Sequence, residues 1–213
     1  MMSSAIHAAQ HRQAARGRAL PARGFTVIEL MLSLVVLAII VALGAPALNN
    51  FVIQSRMTSQ INELLADVSY ARNEAATRGV RIGFCASANA TSAAATCSSA
   101  VSDWANGRIV FVDVDGDGSR NTGSGSTEIL LKSSAALTGS STMTVTWSGS
   151  GAAPASFQFR PYGGMATANS AVIGTSTITT NVTYKICPST SGKEGRQLSI
   201  GMTGRPTITR VGC

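Results

Sequence analysis

The feature that most constrains this chain is an apolar run near its start, GFTVIELMLSLVVLAIIVALGAPAL, from Gly24 to Leu48. Between Phe25 and Ala45 there are 21 residues with one ionisable side chain, Glu29. A helix needs about 20 apolar residues to cross a bilayer core. A carboxylate inside such a segment costs up to about 3 kcal/mol, less near its edge, and marks a residue kept for a partner. The amine of a neighbouring chain at the same membrane depth would be such a partner. The segment therefore predicts a membrane-spanning helix with an unusual acid in its first turn. Pro46 near its end predicts a bend, because proline removes a helix hydrogen bond.

Residues 1–24 precede it, basic and alanine-rich, with Arg12, Arg16, Arg18 and Arg23 and no acid. Positive charge before a span places the N-terminus in the cytoplasm and the rest of the chain outside. Without these residues the formal charge of +7 falls to 13 basic against 10 acidic groups, so bulk charge gives little reason to expect a nucleic-acid partner. An ordinary secretory signal carries its apolar region before the cleavage point. Here it follows the one convincing processing point, Gly24-Phe25.

All four cysteines, Cys85, Cys97, Cys187 and Cys213, lie beyond the apolar run. An even number, widely spaced and outside the cytoplasm, predicts disulfides. Three pairings are possible; Cys85–Cys97 and Cys187–Cys213 each close a local loop and are preferred. No zinc set exists, since His7 and His11 are the only histidines.

From 49 to 79 apolar residues recur at helical steps: Ile53, Met57, Ile61, Leu64, Leu65, Val68, Ala71 and Ala75. Arg56, Asn62, Glu63, Asp67, Arg72, Asn73 and Glu74 occupy the other faces, and Gly79 reads as a C-cap. The period then changes. Strands are predicted at 80–85, 108–112, 128–132, 143–147, 156–160, 182–187, 197–200 and 207–209, separated by Gly, Ser and Thr clusters. Trp104 and Trp147 read as packing residues. The fold class is α+β: one long N-terminal helix, half membrane and half sheet-packed, followed by a mainly antiparallel β domain at 80–213.

Three stretches carry a resemblance. Arg23-Gly24-Phe25-Thr26-Val27-Ile28-Glu29-Leu30 resembles the prepilin cleavage signature of type IV pilins and type II secretion pseudopilins. Trp104-Ala-Asn-Gly107-Arg-Ile-Val110-Phe111-Val-Asp113 and the terminal Thr203-Gly204-Arg205 resemble the GspH/FimT/FimU minor pilins. The resemblance implies cleavage by a prepilin peptidase after Gly24, N-methylation of Phe25 and a role for Glu29 in subunit assembly. It also implies a kink or local melting near Pro46 on assembly, and other pilin or pseudopilin subunits as partners in the inner membrane and periplasm. The function implied is a structural subunit that primes or caps a pilus or pseudopilus, not an enzyme. A histidine-free β domain without a catalytic constellation agrees with that.

Two binding readings remain. The FimT branch of that family implies DNA uptake as an alternative function. Its cations here would be Lys185, Lys193, Arg196, Arg205 and Arg210. Only Arg205 matches that branch's Gly-Arg-x-Arg motif; Thr207 stands at the second arginine and Arg210 is displaced. Asp113, Asp115 and Asp117 with Gly118 imitate the start of a calcium loop, but the twelfth position is Ser124 and the flanks read as strands. Glu128 could supply a carboxylate if the loop folds back. A solvated turn without a cofactor is the simpler expectation.

Overall fold

The computed structural model describes residues 24–148, 152–167, 181–190, 192–201 and 203–213, without the side chains of 45–47. The predicted leader therefore lies outside the described residues, as does the side chain of Pro46. The chain divides into two compact units, Met1–Pro46 and Ala47–Cys213. Helix α1, Val27–Arg78, begins in the first and ends in the second.

In the first unit every residue from Gly24 to Gly44 is exposed. The sequence has no polar face here to turn to water, and among the described residues of this unit none covers it.

The second unit owes its core to the stripe on α1. Met57, Ile61, Leu64, Val68, Ala71 and Ala75 are all buried, at the three- and four-residue steps that put side chains on one helix face. Ile53 and Leu65 lie at its margins, half-buried. The helix stops because Gly79 takes φ +68°, which only glycine adopts without strain, and its N–H closes on the Ala75 carbonyl at 3.1 Å. In the last turn Arg78 pairs with Glu74.

Among the described residues nine strands follow: β1 Ile82–Ala86, β2 Arg108–Val112, β3 Leu130–Ser134, β4 Thr142–Trp147, β5 Ser156–Phe159, β6 Met165–Thr167, β7 Val182–Cys187, β8 Glu194–Ile200 and β9 Pro206–Gly212. They form a five-stranded sheet in the order β3-β2-β1-β5-β6 and a four-stranded sheet in the order β4-β7-β8-β9. Every pairing is antiparallel. β6 was not predicted. The second sheet alternates cleanly, with Val182, Tyr184 and Ile186 inward on β7 and Leu198 and Ile200 inward on β8. The main core combines the α1 stripe with residues of both sheets, among them Phe84, Val110, Phe157, Val145, Tyr184 and Leu198.

The central strands of the first sheet are buried on both faces. Ile82, Phe84 and Ala86 face the main core, while Cys85 joins Ile109 and Phe111 in a second, smaller cluster with Ala90 and Ala95. The loop after β1 folds back over that far face, held by the Cys85–Cys97 disulfide. The second disulfide, Cys187–Cys213, ties the end of β7 to the C-terminus beyond β9. Gly83 sits directly across from Phe111, and the ring lies where any Cβ would stand.

Two polar residues correct the sequence expectation. Asp67 is not on a solvated helix face: it is 1 % exposed, as is Arg108 on β2. Arg108 donates Nε to Asp67 Oδ2 at 3.0 Å, and the other Asp67 oxygen takes Ser134 Oγ at 2.9 Å and Lys132 Nζ at 2.7 Å. This network joins α1 to β2 and β3. Arg196, predicted as a surface cation, is also buried, with Nη2 3.4 Å from Thr58 Oγ1 of α1.

Candidate functional site

The start of α1 is built by a local rule. Thr26 precedes the first helical residue, and its Oγ1 accepts the Glu29 N–H at 3.3 Å while its carbonyl accepts the Leu30 N–H at 3.1 Å. Thr26-Val27-Ile28-Glu29 is thus the Thr-x-x-Glu pattern that caps a helix N-terminus. The threonine is legible in the sequence by that spacing, as a functional residue beyond Gly24, Phe25 and Glu29. The cap fixes where the helix begins, and so where Glu29 stands: in the first turn, where the helix dipole favours a negative charge. Phe25, one residue before the cap, is 82 % exposed. A cut after Gly24 would leave a new amine one residue ahead of the cap and a carboxylate one turn into the helix. These are opposite charges on a surface that, Ser33 apart, is otherwise apolar from Val27 to Leu43. Such a helix is long and apolar enough to cross a membrane.

The second candidate is the loop after β2. Asp113, buried at its base, accepts Gly116 N–H at 2.8 Å on one oxygen and Gly118 N–H at 3.1 Å on the other. Gly116 and Gly118 both take positive φ, +81° and +76°. Asp115 accepts Asp117 N–H at 3.1 Å, and Asp117 accepts Ser119 N–H at 2.7 Å. Glu128 does fold back: its two oxygens take Val114 N–H at 3.2 Å and Asn121 N–H at 2.6 Å. Ligand oxygens of Asp113, Asp115 and Asp117 lie within 4.8 Å of one another. Burial pushes the Asp113 carboxyl up to about 6, against the two hydrogen bonds, and the Glu128 and Asp115 charges push the same way. Burial also raises Glu128.

The predicted DNA contacts do not form one cluster: Arg196 and Arg210 are cross-strand partners on β8 and β9, both beside Glu194, and Arg205 lies apart from them. Lys193 donates to Asn50 at 2.9 Å, Arg196 is buried, and Arg210 stands 3.8 Å from Glu194. Glu194 is at one end of the β8–β9 pair, opposite Gly212, whereas Arg205 is in the turn at the other end. Lys185, on β7, faces Gln197.

The segment Trp104–Asp113 proves to be structural. Trp104 is fully buried against Phe84, Phe157 and Tyr184. A Cβ on Gly107 would stand 2.6 Å from that of Ala90. Arg108 is the buried partner of Asp67, and Asp113 organises the next loop.

Comparison with family models matches residues 60–204 to the family described as Type II transport protein GspH, and residues 21–45 to the prokaryotic N-terminal methylation motif. Comparison with curated proteins gives no match. Among solved structures, two crystal forms of the type IV minor pilin FimU of Pseudomonas aeruginosa are similar. Each is 21% identical and covered over 74% of this chain; the matches span 92% and 87% of the FimU chains, with TM-scores of 0.43 and 0.44. The GspH match spans more than half of the sequence and begins on the buried stripe of α1, and the methylation motif brackets the Thr26 cap and Glu29. The chain belongs to the GspH family of pseudopilin and minor pilin subunits, and carries the N-terminal motif through which prepilins are processed.

Proposed function

We propose that this chain is a precursor cut between Gly24 and Phe25 by a prepilin peptidase and methylated on Phe25. The mature protein then joins a type IV pilus or type II secretion pseudopilus as a priming or capping subunit. It is held in the inner membrane by its apolar helix until it assembles, with the β domain in the periplasm. Other pilin or pseudopilin subunits are its partners. Glu29 pairs with the N-terminal amine of a neighbouring subunit. The observation that carries this reading is the exposure of a stretch from Phe25 to Leu43 whose side chains are apolar apart from Thr26, Ser33 and a single acid, Glu29. A solvated helix would not keep that surface, and a lipid-facing one gains by exchanging it for protein packing with a charge partner. Co-production with a prepilin peptidase is expected to shorten the chain by the leader, read by intact mass. Glu29→Ala should still be cut and methylated but should fail to enter filaments. Normal incorporation of that variant would refute the pairing.

We also propose that the Asp113 loop closes on its own backbone donors and holds no ion. The support is that Asp113, Asp115, Asp117 and Glu128 each accept N–H groups of the loop itself. A folded-state value of about 6 against an ordinary 3.8 means the folded chain binds the proton more tightly than the unfolded one. Asp113 then contributes stability that is fully present below about 4 and lost as pH rises to about 6, roughly 3 kcal/mol at most. Side-chain carboxyl NMR should place the Asp113 midpoint near 6. Adding millimolar calcium should leave it there; an ion bound by the carboxylates would drag it down.

A further inference from the structure

Away from the acidic loop, two tight turns that each carry an arginine meet against a third arginine, Arg72 of α1. Arg72, on α1, lies half-buried along the backbone of Gly163 and Gly204. Both glycines are buried and both have positive φ, +82° and +71°. A Cβ on Gly163 would stand 3.2 Å from Arg72 Nε. One on Gly204 would be 3.5 Å from Arg72 Cδ and 2.5 Å from the Gly163 carbonyl. The β5–β6 turn and the β8–β9 turn therefore touch, with the Arg72 side chain against both. The first turn carries Arg160, whose Nη1 donates to Tyr162 Oη at 2.7 Å and whose guanidinium lies 6.0 Å from that ring. The second carries Arg205, exposed next to Gly204. Among the described residues, no carboxylate pairs with Arg72, Arg160 or Arg205. Glu74, two residues along α1 from Arg72, is taken by Arg78.

We propose that Arg72, Arg160, Arg205 and Tyr162 form a docking site for an acidic segment of a partner protein. Cations gathered without acids repel one another, and an incoming carboxylate relieves that repulsion while accepting forked N–H donors. Arginine and tyrosine are the residues on which protein interfaces concentrate their energy, and Tyr162, 69 % exposed, is a rigid ring already held by Arg160. A nucleic-acid strand instead needs cations along a track of phosphates. The other cations of the four-stranded sheet do not continue such a track: Lys193 is held by Asn50, Arg196 is buried, Arg210 lies beside Glu194, and Lys185 stands on β7 between Thr144 and Gln197 with no cation in register beside it. The site lies in the second unit, on the sheet-packed half of α1 and two turns of the β domain, and stands apart from the role proposed for the exposed apolar start of the helix.

The test uses the full chain in zwitterionic detergent with two labelled probes of similar charge, decaglutamate and a ten-nucleotide oligothymidine. Decaglutamate is expected to bind more tightly, with a loss of about threefold in Arg205→Gln and about tenfold or more when Arg72, Arg160 and Arg205 are all changed to glutamine. Arg210→Gln, near Glu194, should leave binding as it was. If Arg72→Gln does not fold, the Arg160→Gln/Arg205→Gln pair carries the test, since neither guanidinium is held in the core. Undiminished decaglutamate binding by the variants would overturn the proposal. So would tighter binding of the oligonucleotide that the same substitutions abolish, which would make this a nucleic-acid site.

Discussion

Asp67→Ala is expected to destabilise the β domain by about 3–5 kcal/mol, the range for breaking a buried ion pair by removing one partner. For a domain of this size that lowers the melting temperature by roughly 6–20 °C. Asp67 and Arg108 are both 1 % exposed, and one carboxylate satisfies three donors: Arg108 Nε, Ser134 Oγ and Lys132 Nζ. Without it the guanidinium stays in the core with a charge and no acceptor. Glu63 is a poor replacement, half-exposed and 3.7 Å from Arg108 Nη2. The Arg108 Nη1 and Nη2 atoms already lack hydrogen-bond partners among the described residues, so nothing nearby absorbs the loss. Changing Asp67→Leu and Arg108→Met together should recover much of the deficit, because the core then holds no ion. Thermal melts followed by circular dichroism of the wild type, Asp67→Ala and the double variant check this. A loss below about 1 kcal/mol in the single variant would mean that the pair is solvated.

What the sequence revealed and what it hid divide along physical lines. The α1 stripe was legible because six core positions repeat at helical spacing, and Gly79 closes the helix by a conformation few other residues adopt. β7 and most of β8 were legible because one face meets the core and the other meets water, which forces alternation. β6 was not, since three residues are too few to alternate, and its pairing with β5 supplies the regularity instead. The two-sided burial of β1 and β2 was hidden because Ile109 and Phe111 look the same whether or not a loop covers them; that loop is rich in small residues and shows no period. Asp67 read as a residue of the helix's outer face, and with Arg108 41 residues away nothing local signals that the two meet. At the functional end, Glu29 stood out by being alone. Thr26 beside it was passed over although its spacing to Glu29 is a capping pattern. The basic cluster was hidden for the same reason as the ion pair: Arg72, Arg160 and Arg205 belong to one place only after three elements have packed.

Trp104→Ala is expected to cost about 3–5 kcal/mol, and the reason lies in what the ring joins. Trp104 sits in the short 3-10 turn Val101–Ala105 and is fully buried. Its ring centroid is 5.0 Å from Phe84 on β1 and 6.0 Å from Phe157 on β5, both of the five-stranded sheet. It is 5.1 Å from Tyr184 on β7 of the four-stranded sheet, in an edge-on arrangement that aromatic quadrupoles favour. Its Nε1 donates to the Pro154 carbonyl at 3.4 Å. One side chain thus fills the space between the two sheets, and deleting it leaves a cavity that neither can close without breaking its own ladder. Trp104→Phe keeps ring contacts but gives up volume and the Nε1 bond, so its loss should be smaller, about 1–2 kcal/mol. Urea unfolding of the three proteins at one pH gives the comparison, with the ranking wild type, Trp104→Phe, Trp104→Ala expected. If the alanine variant lost no more than the phenylalanine one, the sheets would be free to collapse onto the gap. The volume of that ring would then not be what fixes their separation.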